Sequence, residues 1–301
     1  MTGGAGFIGS HLVRKLLAEG EQVTVLDNFS TGARDNLPQG VKCIEMDVND
    51  PSLDVVFTQG HFDAVVHLAG QTTVHISMES PALDGEENVI GSIHVLEQAR
   101  RTKVQRVIFA STAASYGDVA EESLPIVESE PLHPMSFYGL SKVTVEHYLR
   151  LYQQSFGLDF VILRFANVYG ERQGNGGEGG VISIFAQRLA EGKALAIYGD
   201  GEQTRDFIYA GDIAAGIYAA LCTENVNHAY NLSTQTETSL KELVAHKAIE
   251  PRYLEARPGD IYKSMLANGR ARRALGWAPA VSLHEGLKRT YAYFEERTKQ
   301  S

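Results

Sequence analysis

Cysteine is scarce in this chain: Cys43 and Cys222 are the only two among 301 residues. Two isolated thiols build neither a disulfide framework nor a metal-ligand spacing, and they fit a reducing, cytoplasmic setting. No cluster of His, Cys and Asp has the spacing of a metal site, so no metal is expected. No apolar run is long enough to span a bilayer, and no secretory signal is visible. Basic charge is in deficit, with 27 Lys and Arg against 37 Asp and Glu and a net charge of −10. That balance argues against nonspecific binding to nucleic acid or anionic membranes, although a local arginine cluster can still receive an anion. There are no repeats and no low-complexity tract.

What is present is an ordinary globular composition, 44% hydrophobic and 21% charged, and enough length for one large or two modest domains. The first ten residues are the most informative. In Met1-Thr-Gly-Gly-Ala-Gly-Phe-Ile-Gly-Ser10, Gly3, Gly6 and Gly9 recur every third residue, and Gly4, Gly6 and Gly9 fit the looser G-x-G-x-x-G. A helix reads from 10 to 19. Glycine lets backbone approach a pyrophosphate, and a helix N-terminus supplies free N–H groups and a positive dipole end. The segment 22–27 then reads as a buried strand ending in Asp27, where the fingerprint expects an acid for the adenosine ribose. An acid there repels a 2′-phosphate and favours NAD over NADP, with Arg34 nearby as the one opposing feature.

Only Met1 and Thr2 precede Gly3, whereas a dinucleotide fold feeds its glycine loop from a central strand. The expectation at this point is a truncated chain or a misassigned start, with Met1 standing where the last apolar residue of that strand belongs.

Further strands are expected at 41–46, 63–68, 105–111 and 159–165, and helices at 88–102 and 137–156. Alternation of this kind specifies an α/β fold, a doubly wound parallel sheet of Rossmann type whose ligands gather at the C-terminal strand ends. The expected division is a NAD-binding domain over 1–166 and a smaller mixed α/β lobe over 167–301. A strand near 229–232 returns to the first sheet. The glycine-rich stretch 170–180 reads as a loop, and later helices are expected at 181–191, 211–223, 268–275 and 284–297.

Tyr138-x-x-x-Lys142 places a phenol and an ammonium on one helix face. A free tyrosine titrates near ~10, and a neighbouring cation favours its phenolate, so the pair is expected to lower the tyrosine's pKa and make it a base. At the end of the 105–111 strand, Thr112, or alternatively Ser111, offers a hydroxyl to relay the proton.

These elements occur in order with His67-Leu-Ala-Gly70, Arg164-Phe-Ala-Asn-Val-Tyr-Gly170, Gly199-Asp-Gly-Glu-Gln-Thr-Arg-Asp-Phe207 and Arg257-Pro-Gly-Asp260. Across essentially its whole length the chain resembles the extended short-chain dehydrogenase/reductase family, and within it the UDP-glucose 4-epimerases. The resemblance implies bound NAD, with Gly3, Gly6, Phe7, Ile8 and Gly9 at the pyrophosphate, Asp27 and Asn28 at the ribose, and Asp47 and Val48 flanking the adenine. It places Leu68, Ala69, Gly70 and Asn88 along the cofactor, with Tyr138 and Lys142. It implies a UDP-sugar held by Asn167, Arg205 and Arg257 at the diphosphate, Asp260 at the uridine ribose and Tyr198 against the uracil. Tyr138 resembles the base, Lys142 its partner and Thr112 the proton shuttle for transient oxidation at C4, followed by return of hydride to the other face of a 4-keto sugar. Related 4,6-dehydratases follow the threonine with an Asp-Glu pair; here stand Ala113 and Ala114, which transfer no proton. Ser264, or Met265 in a shifted register, occupies a position that sets pocket size, and serine leaves room for N-acetylated sugars. A UDP-glucuronate 4-epimerase, with Arg172 reaching the carboxylate, or another nucleotide-sugar epimerase or dehydratase is the alternative, and a non-catalytic nucleotide-binding regulator the remote one. The resemblance also implies a homodimer through helices 88–102 and 137–156.

Overall fold

Short Val- and Ile-rich segments, apolar on both faces, form the strands of one parallel sheet in the computed structural model, which describes residues 1–174, 180–245, 251–255 and 261–300. The strands are β1 (Thr24–Asp27), β2 (Lys42–Glu45), β3 (Ala64–His67), β4 (Arg106–Thr112) and β5 (Asp159–Phe165). β1 pairs with β2, β3 with β4 and β4 with β5, all parallel. The segment His228–Leu232 adds a further parallel strand outside β5, pairing Tyr230 with Leu163.

Alternation within β4 and β5 shows why these runs are apolar throughout. Ile108, Val161 and Leu163 join the core beneath helix α1 (Phe7–Ala18) and helix Ala210–Cys222. Val107, Phe109, Phe160 and Ile162 join the core on the opposite face, with Leu96 and Leu149. Period-two side chains thus feed two cores, as a sheet covered by helices on both faces requires.

Met1 and Thr2 lie between β1 and β3. Thr2 bridges both Leu26 of β1 and His67 of β3. The Thr2 amide donates to the Val66 carbonyl (3.0 Å), and the Leu26 amide to the Met1 carbonyl (2.9 Å). Met1 and Thr2 thus join β1 to β3, and beside them lies a groove lined by Leu26, Val56, Phe57, Phe62 and Val65. Strand order reverses at this point, so the glycine loop that follows leaves from a topological switch point, where ligands bind in open α/β sheets.

The later part of the chain pairs in short pieces: Asn167–Tyr169 with Phe207–Tyr209, Ala196–Tyr198 with Arg252–Leu254, and Thr204–Arg205 with Thr238–Ser239. A separate core of Ile182, Phe185, Ile197, Leu243, Tyr291 and Phe294 holds these pieces to helices Val181–Ala190 and Leu283–Gln300.

Candidate active site

The glycine loop is as tight as its sequence implies. Gly3 has φ +70°, and a Cβ on it would stand 2.7 Å from the Ala69 amide nitrogen. A Cβ on Gly9 would meet the Gly3 carbonyl oxygen at 2.1 Å. α1 starts at Phe7, three residues earlier than expected, so Phe7, Ile8 and Gly9 form its first turn. Gly6 caps it without a side chain, and no acid lies in that turn. The amides and the positive dipole end are left for an anion.

Asp27 ends β1, is 6% exposed, and accepts from the Ala5 amide at 2.8 Å and the Phe29 amide at 2.9 Å. It therefore braces the glycine loop as well as standing where a ribose is expected. Asn28 donates to Asp47 at 2.6 Å, which joins the ends of β1 and β2. Arg34 is drawn away by Glu45 at 2.5 Å and stacks over Phe29. Val48 is buried beneath Gly91, whose Cβ would lie 2.8 Å from it. Leu68, Ala69 and Gly70 follow β3, and the Ala69 amide donates to Thr2 Oγ1 at 3.2 Å. All these residues stand along the C-terminal edge of the sheet.

Helix Phe137–Phe156 packs on one face of the sheet and brings its first turn to the same edge, its Ser136 cap accepting from the Gly139 amide at 3.1 Å. The Lys142 ammonium lies 5.1 Å over the Phe109 ring centroid and 5.8 Å from the Tyr138 ring centroid. The expectation is that Lys142 lowers the tyrosine's pKa; in this structure burial is the larger influence and pushes the Tyr138 phenol up to about 12, against a hydrogen bond from Thr112 that favours the phenolate. Burial likewise pulls Lys142 down to about 8, opposed by the negative charge of Asp84.

Around the pair the structure gives the expected Asn88 and Ser111 partners that the sequence did not single out: Gln71, Asp84, Ser141 and Glu146. Asn88 lies in a wide helical turn, Gly85–Ile90, that precedes helix Gly91–Arg101 and starts the expected 88–102 segment differently. Its amide nitrogen donates to the Gln71 carbonyl (3.0 Å), Asp84 (3.0 Å) and Ser141 Oγ (3.2 Å). Three acceptors fix the amide's orientation, leaving Asn88 Oδ1 buried without a partner and 2.3 Å from where a Cβ on Gly70 would stand. A buried orphan acceptor, a glycine that admits no side chain and an unencumbered helix N-terminus fit a dinucleotide lying along this edge. Behind it, Arg164 grips Glu146 through two hydrogen bonds (2.9 and 2.6 Å) and donates to Tyr116 (2.9 Å), while Ser111 donates to Glu146 at 2.7 Å. Ser111 thus serves this buried network, and Thr112 is the hydroxyl left beside Tyr138. A single charged residue in a strand or helix carries no sequence signal for such a pairing. His67 is buried between Thr2 Oγ1 (2.7 Å) and Ser92 Oγ (2.9 Å), as a packing residue at a strand end should be.

The residues expected at the substrate lie in the second part of the chain. Asn167 is exposed just past β5, with its amide donating to the Asp206 carbonyl at 2.9 Å. Arg205 donates to the Thr204 carbonyl at 2.7 Å, Tyr198 is 36% exposed at the end of its strand, and Ser264 is half-buried. Arg257 and Asp260 lie outside the described residues. Arg172, the candidate for reaching a sugar carboxylate, instead donates to Ser10 on α1 at 2.8 Å.

Comparison with known proteins agrees with this geometry. A UDP-glucose 4-epimerase from Mycolicibacterium smegmatis is 36% identical, with 99% of each chain covered. The crystal structure of a Thermotoga maritima UDP-glucose 4-epimerase with UDP-glucose superposes with a TM-score of 0.95 at 39% identity, covering 98% of each chain. That of a Thermus thermophilus UDP-glucose 4-epimerase in complex with NAD gives 0.91 at 40% identity, covering 97% of each. Residues 1–233 match the model of the NAD dependent epimerase/dehydratase family. A parallel sheet that reverses at a glycine loop, a helix that brings Tyr-x-x-x-Lys to its C-terminal edge and this match lead to one conclusion: the chain belongs to the NAD-dependent epimerase/dehydratase family.

Proposed function

We propose that this protein is a NAD-dependent UDP-hexose 4-epimerase that interconverts UDP-glucose and UDP-galactose and also turns over their N-acetylated counterparts. The observation that carries the reading is the pairing of Tyr138 and Thr112 at the sheet edge, with Ala113 and Ala114 following where a dehydratase needs acids. NAD, when bound, supplies the hydride acceptor and donor, so the reaction needs no net redox partner. The glycine loop with Phe7 and Ile8 holds the pyrophosphate, Asp27 and Asn28 the ribose, Asp47 and Val48 the adenine, and Leu68 to Gly70 with Asn88 the far half.

Tyr138 takes the proton of the C4 hydroxyl with Thr112 beside it, and later returns a proton to the same oxygen. Lys142 holds positive charge near the phenol. Asn167, Arg205 and Arg257 grip the diphosphate by charge-assisted hydrogen bonds, Asp260 the uridine ribose and Tyr198 the base. A firmly held diphosphate lets the hexose turn over and present its other face. Ser264 leaves space for an N-acetyl group. The apolar stripe along helix Phe137–Phe156 supports a homodimer, and two unpaired cysteines with no membrane-length helix among the described residues support a cytoplasmic setting.

The test is to incubate purified protein with UDP-galactose and with UDP-GalNAc, adding no cofactor, and to separate products by chromatography. UDP-glucose and UDP-GlcNAc are the expected products. Conversion of neither, even with added NAD, overturns the reading, and conversion of UDP-galactose alone removes the role given to Ser264.

A further inference from the structure

Asp84 ends a short helix, Pro81–Asp84, and is 1% exposed. Its hydrogen-bond partners are neutral amides: Gln71 Nε2 at 2.9 Å and Asn88 Nδ2 at 3.0 Å. A carboxylate in the interior is expensive unless an opposite charge is near. The surroundings supply one. Asn88 reaches from Asp84 to Ser141, the neighbour of Lys142, and the Gly70 Cβ position that Asn88 Oδ1 crowds lies 3.8 Å from Lys142 Nζ. Lys142 is itself 5% exposed and has the opposite problem.

The groups that face Lys142 can be named element by element. Tyr138 lies one turn away on the same helix, and burial disfavours its charged form. Glu146, one turn further, is committed to Arg164. From β4 comes the Phe109 ring, which bears no charge. From β3 comes His67, which burial first and then the charge of Lys142 pull down to about 3, so it stays neutral. Asp84 is left as the acid whose field opposes the burial of Lys142.

We propose that Asp84 is a positioning residue for the proton-transfer pair: held by Gln71 and Asn88, its carboxylate keeps Lys142 an ammonium inside the protein. The pairing acts through space, while the Asp84 carboxylate keeps its hydrogen bonds to Gln71 and Asn88. The same charge disfavours the Tyr138 phenolate directly, so Asp84 acts on that tyrosine in two opposed ways. Its net service to the reaction is to sustain the cation. The proposal rests on the reading of Tyr138 and Lys142 as a proton-transfer pair, so its deciding experiment is one of stability, which reads out even if the epimerase assay fails.

Asp84→Asn keeps the shape and an acceptor oxygen and removes the charge. Urea unfolding at pH 7 is measured for the wild type, Asp84→Asn, Lys142→Met and the double variant. Asp84→Asn is expected to lower the folding constant at least tenfold in the wild-type background and less than threefold beside Lys142→Met. If Asp84→Asn alone does not fold, folding of the double variant supports the proposal; failure of both, with Lys142→Met folded, overturns it. In the activity profile of a folded Asp84→Asn, the alkaline limb is expected at lower pH. An additive cycle, which a purely structural role for Asp84 would give, or a limb that does not move, overturns the proposal.

Discussion

Tyr138 is asked to be a base in surroundings that make it a weaker acid than a free phenol. The opposing contributions have named sources: burial and Asp84 raise its pKa, the Thr112 hydroxyl lowers it, and Lys142 supplies nearby positive charge. Replacing it by Phe removes the proton carrier and leaves packing intact, so Tyr138→Phe is expected to cost about 10²- to 10⁴-fold in kcat on UDP-galactose. A loss of less than tenfold would mean that another group moves the proton. Thr112→Val is expected to shift the acidic limb of the rate profile upward, because the phenolate loses the hydrogen bond that favours it. His67 makes a separate prediction about pH. Burial holds its folded pKa at about 3 against an ordinary value of 6.5. Between those values the unfolded chain binds the proton and the folded one does not, so stability falls as pH drops from about 6.5 toward 3. From pH 6.5 to 5 the loss is about 2 kcal/mol at ~1.4 kcal/mol per unit. Urea denaturation of His67→Gln, which has no proton to take up, should show a correspondingly flatter dependence.

Among elements, the strands and the long helices were legible because their signal is local. Val and Ile runs at 159–165 and the 3.6-residue periodicity of 137–156 match the observed β5 and helix residue for residue. The wide turn at Gly85–Ile90 was not legible, since its purpose is to aim Asn88 at groups distant in sequence, Gln71 and Ser141. Nor was the Glu146–Arg164 pair, for which two elements must already be adjacent. The influence of burial on Tyr138 was hidden for a related reason: sequence spacing places a phenol and an ammonium on one face but does not report how deeply they are buried. The glycine loop is the opposite case, where sequence dictates geometry. A methyl on Gly9 would sit 2.1 Å from the Gly3 carbonyl, whereas one on Gly85 meets nothing within 4 Å. Gly9→Ala is therefore expected to lose NAD during purification and to destabilise by roughly 1–3 kcal/mol through forced backbone movement. Gly85→Ala should do neither. Chromatographic assay of NAD released from each denatured variant makes the comparison, and retention of NAD by Gly9→Ala would count against the loop as the pyrophosphate cradle.

At the scale of the whole molecule, the surface carries an apolar stripe that the single chain does not use. On helix Phe137–Phe156, Phe137, Leu140, Tyr148 and Leu151 are 36–57% exposed at spacings of three, eight and three residues, which keeps them on one face; Phe156 continues the exposure to the helix end. Ile90 is exposed too, on the helical segment that leads into Gly91–Arg101. Monomeric proteins rarely leave such a patch in water, and a two-fold axis beside it would let the same helices of a second copy cover it. The wild type is then expected to sediment at twice the mass of one chain. Leu140→Glu with Leu151→Glu puts charges in the centre of the stripe without touching either core, so it should yield a folded monomer. Because Leu140 is two residues from Tyr138, loss of the partner also frees the helix that carries the tyrosine. Turnover in the monomer should therefore fall with KM little changed, since the residues assigned to the diphosphate lie elsewhere. A wild type that sediments as a single chain, or a double variant that remains a dimer, would remove this face as the interface.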